Sequence, residues 1–278
     1  MKFGITAFVT DEGISPAALG TAVEERGFSC LMVPEHSHIP ALYTGPSSPL
    51  GRTLPRTYLR TLDPFVTLSS VAAVTRDLAL VTGVLPLPQR DVFYTAKEIA
   101  SLDLISDGRL AVGVGAGGWS REEMRDHGTD PATRGAKMNE QLAALKRIWT
   151  EDEAEFHGRF IDFGPALSWP KPVQRPHPPL YVGGESRAAL QRLLTLGDGW
   201  LPQAATPVEE LRRVRRWLAD NGRANVPFTI FGAGREEPKL AEYAEAQVEE
   251  VCFLLPTQPE PETLHDLDEL ASLVNRVS

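Results

Sequence analysis

Cysteine is nearly absent from this chain of 278 residues: only Cys30 and Cys252 occur. Two such distant residues build no disulfide framework, and no CxxC pair offers a zinc ribbon or a redox motif. Each sits inside an apolar, strand-like run, where a reduced thiol behaves as a small core residue of a cytosolic protein. No stretch reaches the roughly 18 consecutive apolar residues of a membrane span. The N-terminus, MKFGITAFVTDEG, has too short an apolar part for a signal peptide and turns acidic at Asp11 and Glu12, so it reads as a first strand. Positive charge is also scarce. Lys and Arg number 28 against 37 Asp and Glu, a net charge of −9, which argues against a general nucleic-acid binder. The one basic cluster, Arg212, Arg213, Arg215 and Arg216, is interleaved with Leu211, Val214, Trp217 and Leu218. That is the spacing of an amphipathic helix with a solvated basic face. G-x-S-x-G and P-loop elements are missing, so hydrolase and nucleoside-triphosphatase readings have no motif behind them.

What is present is a regular alternation. Apolar strand-like runs fall at residues 3–9, 30–33, 78–85, 110–115, 180–183, 199–202, 228–232 and 251–255. Segments with the three-to-four-residue apolar spacing of helices fall at 16–26, 64–74, 96–105, 135–149, 187–196, 208–221 and 238–247, and a last one spans 264–275. Near-continuous apolar strands are buried on both faces, hence parallel. Eight strand–helix units in a chain of this length are the arithmetic of a single-domain α/β protein, a (β/α)8 TIM barrel over residues 1–278, with a doubly wound open sheet as the rival. Two connections are long: residues 35–63 after the second strand, and 120–134 with 151–179 around the helix after the fourth. Long loops in compact domains are commonly functional, and in a barrel these rise at the C-terminal face, where active sites lie.

The densest information lies in residues 78–119, which read strand, polar loop, helix, strand, glycine loop. The first loop carries Pro86, Pro88, Gln89 and Arg90, and the second has four glycines between Gly113 and Gly118. Gly113, Gly115 and Gly118 match G-x-G-x-x-G. A dinucleotide fingerprint, however, belongs in the first βαβ unit with an acidic residue ending the next strand. Here the glycines follow the fourth strand, and Glu140 lies inside a helical pattern. They read instead as a different phosphate or ring cradle. Glu35-His36 ends the second strand at the ligand face; a histidine there can protonate or orient a bound ring, or can simply be solvated. His38 is close by, but no partner ligands have a recognisable spacing, so no metal centre is expected. Gly183-Gly184-Glu185-Ser186 opens a helix, as an anion site or with Ser186 as an ordinary N-cap. Trp119 with Glu122 and Glu123 reads as a lid or as the first turn of a helix.

These pieces together resemble the luciferase-like monooxygenase superfamily, and within it the deazaflavin (coenzyme F420)-dependent oxidoreductases. The resemblance rests on Pro34-Glu35-His36, LRTLDPFVTLSSVAAVT (59–75), LVTGVLPLPQRDV (80–92), AKEIASLDLISDGRLAVGVGAGGW (96–119), WPKPVQ (169–174), PPLYVGGES (178–186) and GDGWLP (197–202). It covers most of residues 1–202, and the chain beyond is weakly diagnostic. It implies the same barrel and a tricyclic flavin or deazaflavin at the C-terminal face, with a cis non-prolyl peptide at Gly83–Val84 backing the ring. It further implies that Gly115, Ala116, Gly117 and Gly118, with Gly183, Gly184, Glu185 and Ser186, hold the phosphate, and that Glu35 and His36 stand at the redox centre. The position of the family's catalytic glutamate falls on Gly118, which makes His36 the expected proton donor. Tyr43, Tyr58 and Trp119 are expected to roof the substrate pocket. The activity implied is hydride transfer with coenzyme F420 and a small organic substrate. The alternatives are an FMNH2-dependent monooxygenase and a flavin or deazaflavin binder without catalysis. The partners expected are a small molecule and, in a homodimer, a second copy of the chain, in the cytoplasm, with neither nucleic acid nor membrane.

Overall fold

A computed structural model describes residues 1–41, 55–117 and 120–277. Strand β1 (Lys2–Ala7) and helix α1 (Pro16–Glu25) lead to β2 (Cys30–Val33), a short α2 (Arg56–Leu59) and α3 (Pro64–Ala72). Then come β3 (Ala79–Pro86), a 3-10 turn (Leu87–Gln89), α4 (Val92–Ile105), β4 (Leu110–Gly115), α5 (Arg121–Asp126) and α6 (Arg134–Thr150). An antiparallel hairpin, β5 (Glu153–His157) and β6 (Asp162–Leu167), precedes β7 (Leu180–Gly183). The chain ends with α7 (Arg187–Leu196), β8 (Gly199–Leu201), α8 (Val208–Asp220), β9 (Thr229–Ala233), α9 (Glu237–Glu245), β10 (Glu250–Leu255) and α10 (Glu260–Val277).

All eight strands read from the apolar runs are present, in the order β8-β7-β4-β3-β2-β1-β10-β9. Their pairings are parallel. The two ends of this sheet meet through parallel bridges Trp200–Phe228 and Gln203–Phe231. The Trp200 N–H donates to Pro227 O and the Phe231 N–H to Pro202 O, each at 2.9 Å. These bonds close the sheet, giving the (β/α)8 barrel and removing its edges.

Helix starts follow the caps. Ser15 accepts from the Ala18 N–H ahead of Pro16, and Asp63 from the Val66 N–H ahead of Pro64. Asp91 accepts from both Phe93 and Tyr94, so α4 begins at Val92, four residues before the apolar spacing becomes regular. Likewise α10 begins at Glu260 rather than at 264. The segment 151–179 is not one long loop, because it contains the β5–β6 hairpin. Most hairpin residues are exposed, so the hairpin lacks the apolar run that marked the barrel strands. It is held instead by Glu140 of α6, whose carboxylate accepts the N–H groups of Arg159, Phe160 and Ile161. Three of the four basic residues of α8 are paired: Arg212 with Glu209, Arg213 with Glu210, and Arg215 with Glu249. No described helix is long and apolar enough to cross a membrane.

The period of two along each strand divides the core. Leu31, Val33, Leu80, Val112, Val251 and Phe253 belong to the large cluster between sheet and helices. Cys30, Met32, Val81, Leu201 and Cys252 form a separate cluster that fills the lumen, with Ala79, Ala111, Tyr181 and Phe231 packed on it. Where lumen positions fall on glycine, a neighbour takes the space: a Cβ on Gly83 would come within 2.5 Å of the Met32 side chain.

A Cβ on Gly113 would overlap the Thr82 carbonyl oxygen and lie 3.1 Å from Leu201 Cδ2. Backbone cannot yield as a flexible side-chain end can. Gly113→Ala is therefore expected to destabilise the fold by about 1–3 kcal/mol, read as a lower urea midpoint. An unchanged midpoint would mean that the strand end is not as tightly set as described.

Candidate functional site

The C-terminal ends of the strands surround a cavity of about 360 Å³. Its floor begins with an irregularity in β3. Thr82 pairs with Val112, but the next pairing is Leu85 with Val114, so β3 carries one residue more than β4 across this span. Thr82 Oγ1 donates to Gly113 O at 2.9 Å and pins the bulge. Inside it the Gly83–Val84 peptide is cis, at the position the resemblance implied. Val84 then stands between two glycines. A Cβ on Gly115 would lie 2.7 Å from Val84 Cγ2, and one on Gly183 3.0 Å from Val84 Cγ1. Only glycine at the ends of β4 and β7 lets this side chain occupy the barrel mouth. Around it the main chain of Gly115, Ala116, Gly117, Gly183 and Gly184 forms the surface. Gly117 (φ 67°) and Gly184 (φ 96°) adopt backbone that other residues rarely take.

The polar wall comes from β2, the turn after β3, and α5. Glu35 pairs with Arg90, which also pairs with Glu98. Gln141 of α6 holds this turn by donating to Leu87 O and Arg90 O at 2.8 and 2.9 Å. Arg90, of the polar loop after the third strand, is thus committed to carboxylates of the protein. Burial pushes the Glu35 carboxyl up to about 7, against the opposing pull of Arg90. Its Oε2 is buried with no hydrogen-bond partner among the described residues. His36 Nδ1 lies 3.6 Å from Glu123 Oε1, too long for a hydrogen bond but close enough for an ion pair when the ring is protonated. The His36 ring packs on Tyr58 at 5.2 Å between centroids, and Tyr58 on Phe8 at 4.6 Å. Burial raises the Tyr58 phenol above its usual value, so it stays neutral.

Glu123 stands in the first turn of α5, one of the two places the sequence offered for it. Ser120 and Glu123 have the spacing of a capping box, S-x-x-E, and Ser120 Oγ does accept the Glu123 N–H at 3.0 Å. The carboxylate, however, is turned into the cavity and is only 2% exposed. The cavity thus holds an acidic side chain at Glu123, five residues beyond Gly118 in the sequence. Gln89, Gln203, Phe231 and Phe8 also line the cavity. The one sequence signal for Gln89, Gln203 and Phe8 is their place just beyond the ends of β3, β8 and β1, whereas Phe231 lies within β9. At the rim, Ser37 Oγ bonds His127 Nε2 at 2.6 Å and His38 Nδ1 at 3.0 Å. His38 Nε2 bonds Asp126 at 3.0 Å. This string ties the β2 loop to the end of α5.

Of the expected residues, Glu35, His36, Tyr58, Gly83, Val84, Gly115, Ala116, Gly117, Gly183 and Gly184 meet at the cavity. Glu185 and Ser186 are next to it but not in its lining. The Glu185 carboxylate accepts the Gln203 N–H and the Thr206 hydroxyl, and Ser186 caps α7 through the Ala189 N–H. Tyr43, Gly118 and Trp119 lie outside the described residues. A planar polycyclic ring with a phosphorylated side chain fits the donor set. Val84, Leu201, Phe8 and Phe231 offer apolar faces, and the glycine turns leave main chain exposed to an anion. Glu35 Oε2 and Glu123 Oε1 are buried at this wall and make no hydrogen bond among the described residues.

Comparison with known proteins agrees with this geometry. The family model for luciferase-like monooxygenases matches residues 14–248. The uncharacterized protein Rv0953c of Mycobacterium tuberculosis is 37% identical over 284 residues, covering 100% of this chain and 98% of that one. The FMNH2-dependent dimethylsulfone monooxygenase of Pseudomonas putida is 36% identical over 191 residues, 65% of this chain and 52% of the relative. Among solved structures, monooxygenase RslO1 from Streptomyces bottropensis superposes with a TM-score of 0.79 at 20% identity, over 99% of both chains. An F420-dependent secondary alcohol dehydrogenase, solved with an F420-acetone adduct, superposes at 0.76 and 14% identity, over 100% of this chain and 99% of the other. Those two likenesses speak to the fold. The span of the family match, on a barrel that carries the bulge, the glycine turns and the strand-end histidine, shows that this chain belongs to the luciferase-like monooxygenase family.

Proposed function

We propose that the chain is a coenzyme F420-dependent oxidoreductase acting on a small organic substrate. The observation that carries this reading is the sharing of one cavity by a ring-backing Val84 platform and a buried His36–Glu123 pair. When bound, the deazaflavin supplies two-electron hydride chemistry. The chain's own residues do the rest. Gly115, Ala116, Gly117, Gly183 and Gly184 take the phosphate with main-chain dipoles, since no Lys or Arg is among the described lining residues. Val84 fixes the ring face. His36 Nε2 gives or takes the substrate proton, and Glu123, facing the buried Nδ1, orients the imidazole and balances its charge. Phe8 and Tyr58 help keep water from the reacting atoms.

A second reading, an FMNH2-dependent monooxygenase, is supported by the likeness to the dimethylsulfone enzyme. It uses the same barrel, platform and cradle. Equilibrium titration with F420 and with FMN, each oxidised and reduced, separates the two. Micromolar or tighter F420 binding with much weaker FMN binding is expected. The reverse preference, with oxygen consumption coupled to FMNH2, would replace the proposal with the second reading. Tight binding without turnover across nitro, enone, imine and alcohol compounds would point to a carrier.

His36→Ala is expected to lower kcat by about 10²–10⁴-fold while the F420 Kd changes little. Glu123→Gln should lower kcat by roughly tenfold or more through loss of the positioning carboxylate, again with a smaller effect on cofactor binding. Turnover that survives both substitutions would remove the pair from the chemistry.

A further inference from the structure

The other mouth of the barrel holds a second constellation. Cys30 on β2 and Cys252 on β10 flank β1 and face the lumen. Gly4 of β1 is in register with Cys252, and the pairing of Ile5 with Leu31 puts it opposite Cys30 as well. Since Gly4 has no side chain, the two sulfurs meet over it, 3.4 Å apart. A Cβ at Gly4 would overlap Cys30 Sγ and stand 3.0 Å from Cys252 Sγ. Glu250, two residues before Cys252 on the same strand, presents its carboxylate to the same side. Ser29 Oγ donates to it at 2.5 Å and Thr229 Oγ1 at 3.4 Å. The two Sγ atoms and a Glu250 oxygen lie within 4.8 Å of one another, and no other group of three His, Cys, Asp or Glu among the described residues does so. A cavity of about 640 Å³ opens at this end, with Glu250, Ser29 and Thr229 in its wall.

Two adjacent thiols suggest a disulfide, but the sheet forbids it. Two strand spacings separate the cysteines, roughly 9–10 Å between Cα atoms, beyond the roughly 7 Å that a disulfide spans. A bridging atom suits the gap better. Around a tetrahedral zinc with bonds of about 2.3 Å to sulfur, two thiolates stand about 3.8 Å apart. The sulfurs here would need to separate by only a few tenths of an ångström.

We propose that Cys30, Cys252 and Glu250 form a binding site for a thiophilic divalent cation of the zinc and cadmium class. Two thiolates select a soft or borderline cation over magnesium or calcium. Ser29 and Thr229 orient the carboxylate, the role of outer-shell partners at metal sites. Of the three ligands only Glu250 lines the cavity, the sulfurs being fully buried behind it, so the cation would enter past Glu250 and take a water from that side as its fourth ligand. On binding, two metal–sulfur bonds form as each thiol gives its proton to solvent, Glu250 donates an oxygen lone pair, and nothing is oxidised or reduced.

The full chain, reduced and stripped with a chelator, would be titrated with Co²⁺ as an optical probe and then with Zn²⁺. The expected result is a thiolate-to-cobalt absorption band that saturates at one cation per chain and is bleached by Zn²⁺, with a rise in Tm on adding Zn²⁺. Cys30→Ser and Cys252→Ser should each abolish the band, with circular dichroism to show that the variants fold. Glu250→Gln, which can still accept from Ser29 and Thr229, should weaken cobalt binding by about tenfold or more, and it keeps the test decisive if a serine variant does not fold. No band in the wild type, a band that survives in the serine variants, or unchanged affinity in Glu250→Gln would each overturn the proposal. Cobalt held by the exposed His38, Asp126 and His127 would lack the sulfur band and also count against it.

Discussion

One inserted residue in β3 governs the upper mouth of this barrel. The parallel ladder between β3 and β4 loses its step at the bulge, and Thr82 spends its hydroxyl on the facing carbonyl to hold the offset. The offset aims Val84 across the mouth instead of into the helix layer. Gly115 and Gly183 make room for Val84, and Gly113 makes room for the Thr82 carbonyl of the bulge. The glycines are thus a response to packing first. The same constraint leaves only main chain at these strand ends to face the cavity.

The polar wall obeys a different constraint, the cost of burying charge. Arg90 is shared by Glu35 and Glu98, and Gln141 fixes the backbone on either side of it. Such a buried pair contributes little net stability, but removal of one partner strands the other. The network therefore serves to fix the end of β2, so that His36, the next residue, leaves the strand in a set direction. Glu123 approaches from the opposite chain segment on a helix of six residues that depends on the Ser120 cap. The two halves of the pair are thus held by unequal supports: one by a buried ionic cluster, the other by a cap and a rim of hydrogen bonds through Ser37, His38 and Asp126.

Legibility in the sequence tracked burial. The eight barrel strands are buried on both faces and so appear as apolar runs, and all were readable. The β5–β6 hairpin is mostly exposed and held by backbone bonds to Glu140, which leaves no periodic mark. Starts of helices set by a side-chain cap, as at Asp91, were placed late because apolar spacing begins only where the helix meets the core. At the site, glycines and the strand-end Glu35 and His36 were legible because they sit at fixed offsets from strands. Glu123 was not, because S-x-x-E describes a capping box equally well, and only the rotation of the helix decides whether the carboxylate returns to the cap or enters the cavity.

Leu201 lines both the upper and the lower cavity. It belongs with Cys30, Met32, Val81 and Cys252 to the buried cluster that packs the lumen between the two mouths. The electric potential at the upper chamber is then set partly from below: a charge gained or lost beside Glu250 acts along the axis of the barrel through apolar side chains, where screening by water and salt is weakest. The two mouths are chemically separate yet share one dielectric partition.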